Sequence, residues 1–188
     1  GYGSSQVTVL ENLGGPYEGR HDLRAEEHSF DNFAPLNVMA VHCAADEDVQ
    51  HLPLVPGLPD GAFVHDGQMT KREVRAITLA ALAPTNCERL WDVGAGWGSV
   101  ASEWLGAAPR SSAVAFEQDD ERFGMIQQNA LRLGVPQLSG VEGHLPEVLA
   151  GQAAPETGFH GGALASRDVF DTCWNALGSG LRLVANAV

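Results

Sequence analysis

Apolar residues along this chain change period several times, and each change marks an element. Leu90, Trp91 and Val93 form a short apolar run that predicts a buried strand, followed by three glycines at every second position. Val100 and Trp104, four apart, then open a helical stripe. Ser112 to Glu117 reads as a second strand ending on a carboxylate. Phe123, Ile126, Ala130 and Leu133 carry one face of a helix over 119–133 that stops at Gly134. Leu138 to Glu142, Phe159 to Gly162 and Leu181 to Ala187 read as three further strands, with a helix over 169–177 before the last. Upstream, Val74, Ile77, Leu79 and Leu82 predict a helix that stops before Pro84. Its start has the form of a capping box, with Thr70 at the N-cap and Glu73 at N3. Alternating strands and helices predict an α/β fold: a mostly parallel sheet with helices on both faces and right-handed crossovers.

Residues 1–50 have a different texture. Gln6 to Glu11 alternates like a half-buried strand, Asn12 to Pro16 is a turn, Glu18 to Ser29 is polar, and Leu36 to His42 is a second strand. Two strands with a polar connection bury too little for an independent core, so they are expected to lean on the main domain, another copy or an upstream domain. Pro53, Pro56 and Pro59 mark a linker, and the chain divides into 1–50 and 51–188.

The chemistry concentrates at the glycines. Gly94, Gly96 and Gly98 lack Cβ, so the backbone can turn sharply and come close to a ligand. Ser99 stands where a dinucleotide fingerprint would place its third glycine, which disfavours a nicotinamide dehydrogenase. Asp92, on the strand just before the turn, could bind an ammonium or, through water, a polar ligand. Glu117 lies 21 residues after Gly96, close to the offset at which an acid meets ribose hydroxyls in nucleotide-binding βαβ units. A carboxylate can accept hydrogen bonds from both hydroxyls of a vicinal diol. The acidic run Asp119, Asp120, Glu121 also suits a plain helix start, and that reading of Glu117 stands beside the first.

Composition narrows the function classes. A chain of 188 residues with 44% hydrophobic content holds one ordinary globular domain with an appendage. No apolar run reaches the length of a membrane span. Gly1 to Ser5 has neither a charged n-region nor an apolar h-region, so it reads as a fragment boundary and not as a signal peptide. Cys43, Cys87 and Cys173 are odd in number and lack metal spacing, so they read as reduced cytoplasmic thiols without a metal site. The net charge of -13, with one lysine and ten arginines, argues against nucleic acid as a partner. An anionic small molecule remains compatible through a local cluster of arginines.

Asp92-Val93-Gly94-Ala95-Gly96-Trp97-Gly98 resembles motif I of class I S-adenosylmethionine-dependent methyltransferases, a Rossmann-like fold. Three further stretches extend the likeness: Gly67 to Arg75, Gly143-His144-Leu145-Pro146-Glu147 and Leu183 to Val188. Together they resemble the C-terminal domain of the precorrin-6Y C5,15-methyltransferase (decarboxylating) family of cobalamin biosynthesis. That likeness covers about Leu58 to Val188. Val7 to Pro16 with Leu36 to Val41 resembles the tail of the tetrapyrrole-methylase domain fused upstream in that family.

The resemblance implies methyl transfer from S-adenosylmethionine to C15 of a precorrin, with S-adenosylhomocysteine as product, and loss of carbon dioxide from the C12 acetate. The upstream domain would methylate C5. Gly94, Ala95, Gly96, Trp97 and Gly98 would cradle the methionine part of the cofactor, Glu117 would hold the ribose, and Gly143 with His144 would contact adenine. Thr70, 24 residues before Gly94, matches a cofactor-contacting threonine of the family. The anionic tetrapyrrole makes Lys71, Arg72, Arg75 and Arg110 candidate anchors. Each also fits a solvated helix face. No residue is assigned as the catalytic base, although His65 and His144 flank the expected cleft and could handle protons. A homo-oligomer, such as a tetramer, is also implied.

Two departures from the family pattern stand out. His160 and Ala163 replace apolar and glycine positions around the fourth strand. The chain also stops after the fifth strand, where this fold normally adds an antiparallel hairpin. Truncation or an edge supplied otherwise would account for that, and such an exposed edge invites pairing. The rival readings are a methyltransferase with another substrate and a non-catalytic cofactor-binding module that serves assembly.

Overall fold

The computed structural model describes residues 1–27, 32–49, 51–162 and 166–186, and the chain divides into two compact units, Gly1–Leu52 and Pro53–Val188. Ala163 and the end of the last expected strand, Ala187, lie outside the described residues.

The first unit is a three-stranded antiparallel sheet. Strand β1 (Gln6–Glu11) lies between β2 (Gly19–Arg24) and β3 (Asn37–His42), with Gln6 opposite both Arg24 and His42. Val7 and Val9 are buried on β1, as the alternation predicts. Strand β2 corrects the sequence reading, which left this stretch as a polar connection. Only Leu23 in it is apolar, and cross-strand polar contacts supply what periodicity does not. Thr8 Oγ1 donates to Asp22 at 2.6 Å, and His21 Nε2 meets Glu11 at 2.8 Å.

The second unit carries the parallel sheet. Its strands are β4 (Arg89–Val93), β5 (Ser112–Glu117), β6 (Leu138–Glu142), β7 (Thr157–Gly161) and β8 (Arg182–Asn186), in the order β6-β5-β4-β7-β8, every pair parallel. Order reverses at β4, between β5 and β7. The crevice beyond the carboxyl ends of the strands at such a reversal is where ligands bind in open α/β sheets.

Helices α1 (Arg72–Leu82), α2 (Ser99–Ala107) and α3 (Asp120–Arg132) pack on one face, where Leu79, Leu82, Trp104, Leu105, Ile126 and Ala130 meet Leu90, Ala113, Ala115 and Phe159. Helix α4 (Arg167–Ala176) and a short turn over Glu147–Leu149 cover the other face through Val169, Cys173 and Leu149 against Trp91, Val93 and Phe116. Residues alternate between the two cores along β4, as the pleat requires. Among the described residues no helix is long and apolar enough to cross a membrane.

Helix α1 departs from the sequence reading at both its start and its face. It begins at Arg72, and Lys71 occupies the N-cap without a side-chain cap bond, so the expected capping box does not form. Val74 and Ile77 are exposed, while Arg75, Thr78, Leu79 and Leu82 face inward. At about 100° per residue, Ile77 lies roughly opposite Leu79, so burying Leu79 and Leu82 turns Val74 and Ile77 outward and brings Arg75 into the core, where it is paired. Arg75 Nε donates to Glu103 of α2 at 2.7 Å, and Nη1 donates to Asp60 at 2.9 Å and to the Thr70 carbonyl at 2.6 Å. Nη2 donates to the Leu58 carbonyl, and the guanidinium lies over the Phe63 ring. Glu103 in turn accepts from the backbone N–H groups of Gly57 and Leu58. The expected linker is therefore pinned from Gly57 onward. A second clamp holds it further along: Asn129 on α3 accepts from Val64 N at 2.7 Å and donates to the carbonyls of Val64 and Trp97, each at 3.0 Å.

Candidate functional site

The glycine turn leaves β4 at the point where strand order reverses. The N–H groups of Gly94 and Ala95 both donate to the Phe116 carbonyl at 3.0 Å, which ties the turn to β5. Gly96 has φ +58, and a Cβ added there would meet nothing within 4 Å, so the turn faces open space at this point. Gly161, at the end of β7, closes the other side, where a Cβ would sit 2.9 Å from the Gly94 carbonyl oxygen. Only glycine lets the two segments approach this closely.

Glu117 ends β5 and reaches back to the turn. Its Oε2 accepts from Gly96 N at 2.8 Å, and its Oε1 accepts from the N–H groups of Gln118 and Asp119, each at 2.9 Å. Three backbone donors thus fix the carboxylate while it remains on the cavity wall. The cavity is about 440 Å³, within the roughly 300–1,000 Å³ typical of small-molecule sites. The turn, Glu117, Gln68, Thr70, the end of β7 and Arg122 of α3 are among the groups that line it.

Asp92 does something different from what its sequence position suggests. It is fully buried and does not line the cavity. The N-cap of helix α2 is Gly98, a residue with no side chain to cap it, and Asp92 Oδ2 accepts from Ala101 N at 3.1 Å in place of a cap. Its Oδ1 has no partner among the described residues. Burial pushes the carboxyl up to about 7; the Ala101 N–H opposes this and the nearby Glu117 charge adds to it. The folded state therefore holds this proton more tightly than the unfolded chain does. That contribution is complete below the ordinary carboxylate pKa and is lost as pH rises through about 7. Asp92→Asn should accordingly gain on the ligand-free wild type as pH rises, by on the order of 2 kcal/mol between about pH 5 and pH 8 in urea denaturation. A stability difference that stays constant with pH would rule this account of Asp92 out.

Of the expected site residues, Thr70, Gly94, Ala95, Gly96, Trp97 and Glu117 converge on the cavity, while Gly98, Gly143 and His144 stand outside its wall. Gly98 packs inward, where a Cβ would lie 3.3 Å from Ile126. Gly143 N donates to the Glu117 carbonyl at 3.0 Å, and the exposed His144 lies 3.4 Å from Gln118 Oε1, so both adjoin the rim. His65 does not line the cavity; its Nδ1 accepts from Gly67 N and its ring meets the edge of Trp97.

The expected anchors stand away from this cavity. Arg75 is consumed by its buried partners and lines no part of the cavity. Arg110 follows α2 and precedes β5, beside Cys87 and Glu88, at the amino end of the parallel strands and so opposite the glycine turn. Lys71 and Arg72 are exposed and line no part of the cavity. The cation that does line it, Arg122, was missed. Its helical spacing places it on the polar side of α3, and nothing local signals a ligand.

His160 is buried on β7 in register with Val93, and neither ring nitrogen finds a partner among the described residues. Burial holds its pKa below the ordinary histidine value. Cys43 and Cys87 are exposed free thiols, and Cys173 is a buried one whose pKa burial pushes up to about 11. The described residues contain no cluster of three potential metal ligands.

A parallel sheet in this order, with a glycine turn after its central strand and an acid ending the next, defines a class I S-adenosylmethionine-dependent methyltransferase fold. Known proteins place it more closely. A model of the precorrin methyltransferase domain matches residues 61–188, and the chain belongs to that family. The chain is 48% identical over its full length to a precorrin-6Y C(5,15)-methyltransferase [decarboxylating] from Sinorhizobium sp, of which it covers 46%. It is 26% identical to a probable cobalt-precorrin-6B C(15)-methyltransferase (decarboxylating) from Saccharolobus solfataricus, over 72% of this chain and 71% of that one. The crystal structure of the C-terminal domain of precorrin-6Y C5,15-methyltransferase from Rhodobacter capsulatus superposes with a TM-score of 0.68 at 44% identity, covering 73% of each chain. The chain spans about half the length of the first of these relatives.

Proposed function

We propose that this chain binds S-adenosylmethionine and transfers its methyl group to C15 of a precorrin, coupled to decarboxylation of the C12 acetate in cobalamin biosynthesis. The observation that carries the reading is the direct hydrogen bond from Gly96 N to Glu117 on the wall of an open cavity, on a chain of the precorrin methyltransferase family. The bound cofactor supplies an electrophilic methyl group and leaves as S-adenosylhomocysteine. Glu117 holds the ribose hydroxyls, with its orientation set by three N–H groups. Gly94 to Trp97 leave backbone free to meet the methionine part, and Thr70 faces it from the strap before α1. Gly143 and His144 sit beside the rim where the adenine edge would fall.

Glu117 and Arg122 are the only charged side chains among the described lining residues, so none is placed as a general base. The cavity thus favours catalysis by alignment and exclusion of water, which suits transfer from a sulfonium to an electron-rich carbon. The relative named for C15 alone is of similar length to this chain, which favours assigning the C15 half here. The Gly1–Leu52 unit is then the tail of a tetrapyrrole-methylase domain whose upstream part methylates C5 in the same polypeptide. Assembly as a homo-oligomer belongs to the same reading, with light scattering as its measurement.

Calorimetric titration with S-adenosylhomocysteine tests the cofactor assignment. Stoichiometric binding is expected, and a folded chain that takes up none would overturn the cofactor assignment.

A further inference from the structure

A substrate that is decarboxylated carries at least one carboxylate, and a protein with net charge -13 repels an anion unless a cation stands at the site. The four basic residues expected as anchors do not meet that need at this cavity, because Arg75 is consumed, Arg110 lies at the far edge, and Lys71 and Arg72 line no part of it. One cation does line the cavity among the described residues, Arg122 in the first turn of α3. The helix does not explain it, since the N-terminal end of a helix disfavours positive charge.

The guanidinium of Arg122 is built for exchange. It lies over the Trp97 ring, 5.4 Å from the centroid, which holds it at the cavity wall. Its Nε reaches Asp66 Oδ2 at 3.3 Å, and Nη2 donates to Gln68 Oε1 at 3.0 Å. Nη1 has no partner among the described residues. Both partners are exposed and sit on the tip of the strap, between the clamps that Asn129 makes at Val64 and Arg75 makes at Thr70. The pair with Asp66 is long and partly solvated, with side chains 31% and 39% exposed, so a planar carboxylate can replace it at little cost.

We propose that Arg122 receives a carboxylate of the methyl acceptor at the mouth of the cavity, exchanging Asp66 for the substrate. This rests on the functional reading above and adds to it the residue that selects an anionic acceptor. Trp97 holds the guanidinium at the cavity wall, and Asp66 stands in for the substrate in its absence.

Steady-state methyl transfer to precorrin-6Y, together with S-adenosylhomocysteine titration, tests it on wild type, Arg122→Gln, Arg122→Lys and Asp66→Asn. Arg122→Gln should raise KM for the acceptor by roughly tenfold to a hundredfold and leave the S-adenosylhomocysteine Kd within about threefold. Arg122→Lys should recover part of that loss, because it keeps the charge without the fork. Asp66→Asn should leave KM at or below the wild-type value, since it frees the guanidinium. If Arg122 only pins the strap, Asp66→Asn would raise KM as Arg122→Gln does, and the proposal falls. An Arg122→Gln defect confined to the S-adenosylhomocysteine Kd would assign the arginine to the cofactor and also overturn it. A wild type that binds no S-adenosylhomocysteine and transfers no methyl group would overturn the functional reading itself, and this inference with it.

Discussion

Arg75→Ala should lower the stability of this chain by about 3–5 kcal/mol, the cost of breaking a buried ion pair by removing one partner. Against a typical total of about 5–15 kcal/mol this is a large fraction. The loss has several parts. Glu103, nearly inaccessible to solvent, keeps its two backbone donors but loses its counter-charge, and the carbonyls of Leu58 and Thr70 lose their donors. Phe63 loses the cation above its ring. Thermal denaturation should show a fall in Tm on the order of 10 °C. Because the same contacts set the path of residues 57–70, cofactor affinity should also fall at temperatures where the variant remains folded. A variant as stable as wild type would mean that packing alone holds this strap.

Glu117→Ala carries the largest expected effect on binding. The carboxylate meets three backbone N–H groups and faces the cavity, so its removal costs both the ribose contacts and the order of the turn at Gly96. Hydrogen bonds to charged groups contribute about 1.5–3 kcal/mol each, and affinity for S-adenosylhomocysteine should fall about a hundredfold or more. Glu117→Gln should lie between the two, because its amide oxygen can serve only part of the donors. The global fold should survive, since this end of β5 lies beside the cavity. Equal affinity in calorimetry for wild type and Glu117→Ala would remove the ribose assignment.

The parallel sheet was legible because its signals are local. The runs at Ser112 to Glu117 and Leu138 to Glu142 appear as strands with those bounds, and the 119–133 helix appears as α3 with Asp119 accepting from Arg122 N as its cap. Glu117 was legible for a different reason: a βαβ unit fixes the distance along the chain from turn to acid. Strand β2 was not, because Gly19 to Arg24 has one apolar residue and is held by its partner strand. The face of α1 was misread because the four apolar positions do not share one face: burying Leu79 and Leu82 brings Arg75 and Thr78 inward and leaves Val74 and Ile77 outside. A buried arginine gives no signal of its own in a sequence. Arg122 was missed for a related reason, since it reaches the cavity only because the strap tip folds back beside Trp97, a contact between residues 56 and 54 positions apart at Asp66 and Gln68.

The most direct test of the central claim is turnover. The chain would be incubated with precorrin-6Y and S-adenosylmethionine, and methyl incorporation and released carbon dioxide would be followed by mass spectrometry. The account predicts transfer of a methyl group to C15, accompanied by an equal amount of carbon dioxide, without methylation at C5. A folded chain that binds S-adenosylhomocysteine yet neither methylates precorrin-6Y nor releases carbon dioxide would contradict it.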